Sequence, residues 1–158
     1  MFKKILTLII TLSLCLSLFS CSEEVFSYCE LRLPLPNDFE EIENENFNAT
    51  YSNGNYAVAV LRVSFVDAII EGISETMSAY EFGEFWLESC KRRATLKTDS
   101  FVYCEYNDKV GGVKYYYFAT FYRSAYAYFT VLFMTVEELK TEGRKDFAEY
   151  AKNLYFTV

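Results

Sequence analysis

Three successive runs of aromatic and β-branched residues, 100–106, 113–122 and 126–134, dominate the second half of the chain and constrain its fold most. Tyr, Phe, Val and Thr fit pleated, half-buried surfaces. The runs are separated only by a Gly-containing segment, 107–112, and by Arg123 to Ala125. Connections that short join antiparallel neighbours, so an antiparallel meander of three strands is expected. The whole chain carries fourteen Tyr and fifteen Phe in 158 residues. That is enough apolar and aromatic surface to exclude disorder over most of its length.

Earlier segments add to the same sheet. Residues 28–35 alternate, with Leu31, Leu33 and Leu35 on one face and Glu30 and Arg32 on the other; a period of two argues a half-buried strand. Pro34 and Pro36 place its end at an edge or an exit, since proline donates no ladder bond. Residues 37–46 read as an acidic loop. A hairpin follows, with arms 47–52 and 55–65 around Asn53-Gly54, a pair suited to a type I′ turn. Apolar residues on both faces of the second arm predict a strand covered on two sides. Residues 66–77 read as a loop with a helical turn.

Two helices are expected. Ser78-Ala79-Tyr80-Glu81 matches a capping box, in which the Ser hydroxyl and the Glu carboxylate reciprocally satisfy free backbone N–H groups. The helix it opens should reach about Lys91, with Phe82, Phe85, Trp86 and Cys90 at helical spacing. Lys91, Arg92 and Arg93 then suit the negative pole of its dipole. Thr135-Val136-Glu137-Glu138 matches a second box, opening a helix with Leu139, Gly143, Phe147, Ala151 and Leu154 on one stripe. Gly143 weakens that helix by about 1 kcal/mol relative to Ala; close packing against the sheet is a reason to keep it.

The order strand, hairpin, helix, three-stranded meander, helix, read with Leu31-Arg32-Leu33-Pro34-Leu35-Pro36-Asn37-Asp38-Phe39, resembles the PsbP-like family. There a first strand runs into a Pro-containing turn followed by an aromatic residue; Phe39 stands where Trp is usual. The resemblance implies an α+β domain, with an antiparallel sheet of about six strands packed with two helices in an α/β/α sandwich, and a non-enzymatic assembly or binding role. A cystatin-like or NTF-like α+β fold, with a curved sheet around a helix, is the alternative.

The first twenty residues have the layout of an export signal. Lys3 and Lys4 precede an uncharged apolar run from Ile5 to Phe19, fifteen residues long, which is short of the roughly twenty that span a bilayer. Leu18-Phe19-Ser20-Cys21 resembles the bacterial lipobox. By that resemblance residues 1–20 are removed, Cys21 carries the lipid, residues 21–27 are a tether, and 28–158 form one domain on the extracytoplasmic face of the cell membrane. Two or three acyl chains anchor stably where one does not.

Charge and residue inventory narrow the function. The formal charge is −7 for the full chain, and loss of Lys3 and Lys4 takes it to −9. An acidic domain repels phosphate backbones, so nucleic acid is not an expected partner. The chain has no His, which removes Ser-His-Asp and Cys-His catalysis and His-containing metal sites. The acidic run Glu40, Glu41, Glu43, Glu45 lacks the spaced ligands of a Ca²⁺ loop, so no metal or cofactor is expected. Of the cysteines left after removal of the signal and lipidation of Cys21, Cys29, Cys90 and Cys104 read as three buried small hydrophobes, with a Cys90–Cys104 disulfide as the alternative. Cys90, beside Lys91 and Arg92, is the sole nucleophile suggested by proximity.

One surface stands out. Tyr115, Tyr117, Tyr126 and Tyr128 fall on adjacent predicted strands, where alternate side chains share a face. Exposed together, they would form a rigid amphipathic surface for a protein or small ligand; covered by helices, they would be core or rim residues. The expected function is therefore a membrane-tethered, non-enzymatic binding or assembly module for an extracytoplasmic protein or small ligand. A carboxylate hydrolase and a structural envelope component are the alternatives.

Overall fold

The computed structural model describes residues 23–157. The expected signal segment, residues 1–20, and Cys21 lie outside the described residues. The described chain forms β1 (Glu23–Tyr28), β2 (Leu31–Pro36), β3 (Glu40–Glu41), β4 (Ala49–Ser52), β5 (Tyr56–Ser64), α1 (Phe65–Ile70) and α2 (Ala79–Ser89). It continues with β6 (Lys97–Thr98), β7 (Val102–Val110), β8 (Val113–Arg123), β9 (Ala127–Val136), a 3-10 turn (Glu137–Leu139), α3 (Lys140–Asn153) and β10 (Tyr155–Phe156).

The expected meander is the core of a seven-stranded antiparallel sheet in the order β3-β4-β5-β9-β8-β7-β6. Its central strand, β9, is buried almost throughout. On one face lies α2. On the other lie α3 and a small sheet in the order β1-β2-β10. The α+β class and the layered arrangement are as expected, with more strands and one more short helix than the sequence pattern distinguishes. Alternation in β2 buries Leu31, Leu33 and Leu35 against α3 and the large sheet. Pro34 and Pro36 sit past the reach of β10, which pairs only with Leu31 and Arg32, so they cost no ladder bond on that side.

Two cores flank the sheet. The larger joins Leu33, Tyr51, Val60, Phe133 and Phe147; the smaller joins Ala68, Phe82, Leu87, Phe121 and Tyr128 beneath α2. All their members, partly buried ones included, lie between Phe26 and Phe156.

Several expectations change, each for a physical reason. The tether expected at 21–27 is not free chain from Glu23 onward. Residues 23–28 pair along all of β2, and the Phe26 ring packs on Tyr51 at 4.6 Å, burying apolar surface that a free tether would expose. At Asn53-Gly54 only Gly54 has positive φ (+87°), and the Asn53 side chain accepts the Tyr56 N–H at 2.9 Å. The turn is an Asn-capped loop, not type I′. The two consecutive positive φ values of a type I′ turn occur instead at Gly111-Gly112.

The Ser78–Glu81 capping box is present with both hydrogen bonds. The second box is absent. Thr135 belongs to β9, where its hydroxyl donates to the Asn55 carbonyl at 2.9 Å, and α3 starts without a side-chain cap. Gly143 does pack closely: a Cβ there would meet the Thr135 methyl at 2.9 Å. Among the described residues, Cys29, Cys90 and Cys104 are unpaired; Cys104 is buried, whereas Cys29 and Cys90 are exposed. Cys29 occupies a turn at φ +50°, and Cys90 caps α2 one residue after its end.

Candidate functional site

The β8 side chains divide by parity. Phe121 packs against Phe82 and Trp86 of α2, so Tyr115, Tyr117 and Ala119 share the α2 face. Tyr116 stacks toward Phe147 of α3, so Phe118 and Tyr122 share the α3 face. Helix α2 has eleven residues and extends about 16 Å. Strand β8 has eleven residues and extends about 36 Å. The helix therefore covers Phe121 and Tyr128 at one end and leaves the Tyr115 end of that face uncovered.

The uncovered part is an apolar groove of about 320 Å³, lined by Phe47, Ala59, Val110, Tyr115, Tyr117, Leu132 and Met134. Strand register fixes its course. Val110 stands opposite Val113, Tyr117 opposite Met134, and Leu132 opposite both Ala119 and Ala59. The groove thus runs diagonally from the β7–β8 turn toward the middle of the sheet, where Phe47 lies.

Its aromatic wall is held from behind. Tyr117 stacks on Tyr106 with centroids 4.9 Å apart and planes 9° from parallel, and Tyr115 follows at 6.5 Å. The Arg92 guanidinium lies over the Tyr106 ring at 5.3 Å and pairs with Asp108 at 2.6 Å. Burial would lower the Arg92 pKa, but the Asp108 hydrogen bond and charge outweigh it and raise it. Asp108 is lowered, first by the Lys109 N–H and then by Arg92. Burial also pushes the Tyr106 and Tyr117 hydroxyls up, so both stay neutral at ordinary pH.

Arg92 reaches this position through the end of α2. The helix stops at Ser89, Lys91 adopts φ +53°, and the Arg92 and Lys91 N–H groups donate back to Leu87 (2.8 Å) and Glu88 (2.9 Å). This is a Schellman closure. The basic triplet expected to complement the helix dipole is therefore split, with Arg92 committed to Asp108 and Tyr106.

The four expected Tyr do not form one surface. Tyr115 and Tyr117 are half-buried in the groove. Tyr128 pairs across from Arg123, six residues and about 20 Å along β8 from Tyr117. It is fully buried, stacks on Phe82 at 4.5 Å, and donates to the Ser74 and Met77 carbonyls. Tyr128 is a core residue that fixes the loop before α2. Tyr126 is 56% exposed, in the β8–β9 turn beside α1, where its carbonyl accepts the Phe65 N–H.

Tyr106, Met134, Phe47 and Arg92 are among the members of the site that the sequence reading missed. A legible signal existed for Tyr106. Taking Gly111-Gly112 as a two-residue turn sets Val110 opposite Val113, and counting back sets Tyr106 opposite Tyr117. Phe47 and Arg92 arrive through loop paths, for which no local pattern exists.

A second cleft, of about 510 Å³, lies between β7 and α3, with Phe101, Tyr103 and Phe118 on its floor and Lys145 and Lys152 on its rim. Its Arg144 is committed to Glu105, at 2.9 and 3.3 Å. Glu105 also accepts from Lys97 (2.9 Å) and Tyr116 (3.0 Å). Burial would raise its carboxyl, but hydrogen bonds from Arg144, Lys97 and Tyr116 outweigh this and hold it at about 2. This cluster ties β6, β7, β8 and α3 together. Among the described residues no group of His, Cys, Asp and Glu is arranged to hold a metal.

No protein-family model and no curated protein matches the chain. Solved structures do. The solution structure of cyanobacterial PsbP (CyanoP) from Synechocystis sp. PCC 6803 superposes with a TM-score of 0.55 at 12% identity, over 87% of this chain and 94% of that one. A crystal structure from Bacteroides thetaiotaomicron VPI-5482 superposes with a TM-score of 0.57 at 12% identity; 85% of this chain spans 48% of that one, about half its length. LpqN of Mycobacterium tuberculosis, described as involved in cell envelope biogenesis, gives a TM-score of 0.45 at 9% identity over 87% of this chain and 91% of that one. The fold is PsbP-like. At these identities the likeness defines the architecture and nothing more.

Proposed function

We propose that the chain is a lipid-anchored, extracytoplasmic binding module, tethered through Cys21 and using the groove beside Tyr115 and Tyr117 as its binding surface. The carrying observation is the groove itself: an open apolar concavity whose aromatic wall is preorganised by the Tyr106–Arg92–Asp108 stack. Rigid aromatic surfaces lose little conformational freedom on binding. The lipobox-like Leu18-Phe19-Ser20-Cys21 supports the anchor, and no helix among the described residues is long and apolar enough to cross a membrane.

The electrostatics support a non-enzymatic reading. The Glu30, Glu81, Glu105 and Asp108 carboxyls are all held below their ordinary values. A glycosidase-type general acid needs the opposite. Burial raises the Cys90 thiol despite Arg92, and a raised thiol is a poor nucleophile.

The test is capture of envelope partners by the chain beginning at Ser22, with wild type and Met134→Glu compared side by side. A partner or ligand recovered by wild type and lost with Met134→Glu is the expected result. Equal recovery by both, or turnover of a substrate without recovery of a ligand, overturns the reading.

A further inference from the structure

The register places the mouth of the groove at a defined end of the domain. Glu30, in the turn just before β2, accepts from Ser124 at 2.8 Å and Arg62 at 3.4 Å, so β2 starts beside the β8–β9 turn. It ends toward the β4–β5 hairpin, where Asp38 accepts from Asn53 at 3.0 Å. Glu23 pairs with Pro36 at that second end. Tyr56 and Tyr116 both pair with Thr135, so the Gly111-Gly112 turn, with Val110 and Val113 beside it, lies at the same end. Val110 and Val113 are 55% and 45% exposed there. Cys21 precedes Glu23 by two residues, a reach of about 7 Å.

From this geometry we infer that the groove takes a lipid acyl chain, entering past Val110 from the bilayer to which Cys21 holds the domain. The inference rests on the proposed anchor and groove, and supplies the ligand class. Three observations carry it. The mouth is at the end of the domain where Glu23 opens β1. The lining is apolar side chain from Val110 to Leu132, with the Tyr hydroxyls as its side-chain polar groups. Finally, the groove crosses the face of β5, β9 and β8, which are interior strands with their ladders already paired. A peptide laid there would bury backbone N–H and C=O groups without partners, a cost that an acyl chain does not carry. The volume, about 320 Å³, is at the small end of the range for ligand pockets and suits a single chain more than a whole lipid.

The test uses the chain from Ser22, which contains all of both cores. It is stripped of bound lipid and titrated with the fluorescent fatty acid cis-parinaric acid, with palmitate as competitor. Saturable binding displaced by palmitate is expected, weakened at least tenfold by Met134→Glu and by Tyr115→Glu. Ile70→Glu, on exposed α1 at the other end, should leave it unchanged. Thermal unfolding of each variant checks that the loss is not one of folding. No saturable binding by wild type, or equal weakening by Ile70→Glu, overturns the inference. If parinarate fails to bind while Met134→Glu still abolishes partner capture, the groove stands as a binding surface and only the acyl-chain assignment falls. The mass of Cys21 in the full chain tests the anchor separately; an unmodified Cys21 removes the bilayer as the source and overturns the inference as stated.

Discussion

Tyr117 lies flat on Tyr106 across the β7–β8 ladder, and Arg92 closes the stack from behind by pairing with Asp108. One helix end and two strands thereby fix a single aromatic wall. Arg92→Ala removes the cation–π contact, worth about 1 kcal/mol, together with the ion pair to the exposed Asp108. Thermal unfolding should show a loss of about 1 kcal/mol, a drop of a few degrees for a domain of this size. Ligand affinity should fall as well, because the Tyr117 ring loses its backing. An unchanged melting temperature together with unchanged binding would show the wall to be rigid without its clamp.

Acid should destabilise the fold through Glu105. Its carboxyl lies at about 2 in the folded protein against 4.5 for the free group. A carboxyl depressed on folding contributes stability that is complete above the free value and lost as pH falls toward the folded one. Stability should therefore decline between about pH 4.5 and pH 2. Glu105→Gln should flatten that decline, and lower stability at neutral pH by about 1–2 kcal/mol once screening of the exposed Lys97 and Arg144 partners is allowed for. Urea midpoints measured across this range decide it; parallel wild-type and variant curves would exclude Glu105 as the source.

Sequence patterns revealed the parts of this fold in which one face of one element decides the outcome. Leu31, Leu33 and Leu35, the Ser78–Glu81 box and the β7–β8–β9 meander all belong to that group. What stayed hidden depended on partners far along the chain. Tyr128 and Tyr117 have the same residue type and the same strand-like surroundings, yet one is covered by an eleven-residue helix and the other lies beyond its reach. Thr135 carries the spacing of a cap, but a ladder to β5 and β8 claims its backbone first. Glu23 to Tyr28 lack strong alternation, and their pairing follows from β2, which offers an open edge and an apolar side for Phe26.

Thr130 offers a stabilising change. Its hydroxyl is buried in β9 with no hydrogen-bond partner, whereas Thr120 on the neighbouring strand donates to the Val131 carbonyl. An unpartnered buried hydroxyl costs about 1–3 kcal/mol. Thr130→Val replaces it with a methyl group of similar volume and should raise stability by about 1 kcal/mol. Thr120→Val, the control, should lower it. Denaturant unfolding of the two variants should move in opposite directions.

The packing of α3 on β9 at Gly143 gives a prediction in which the sign itself is tested. Replacing a mid-helix glycine by alanine ordinarily stabilises by about 1 kcal/mol, and Gly143 lies inside α3. The added Cβ, however, would stand 2.9 Å from the Thr135 methyl. That methyl cannot turn away without breaking the hydroxyl's bond to the Asn55 carbonyl. Overpacking of this kind costs about 1–3 kcal/mol, so Gly143→Ala should be destabilising on balance. Thr135→Ser keeps the hydroxyl and removes the methyl. In that background Gly143→Ala should become stabilising, because only the helix preference remains. A double-mutant cycle by urea unfolding measures the coupling directly. A cycle that closes to zero would mean that α3 shifts away from β9 at no cost, and that the tight contact is not what keeps glycine at position 143.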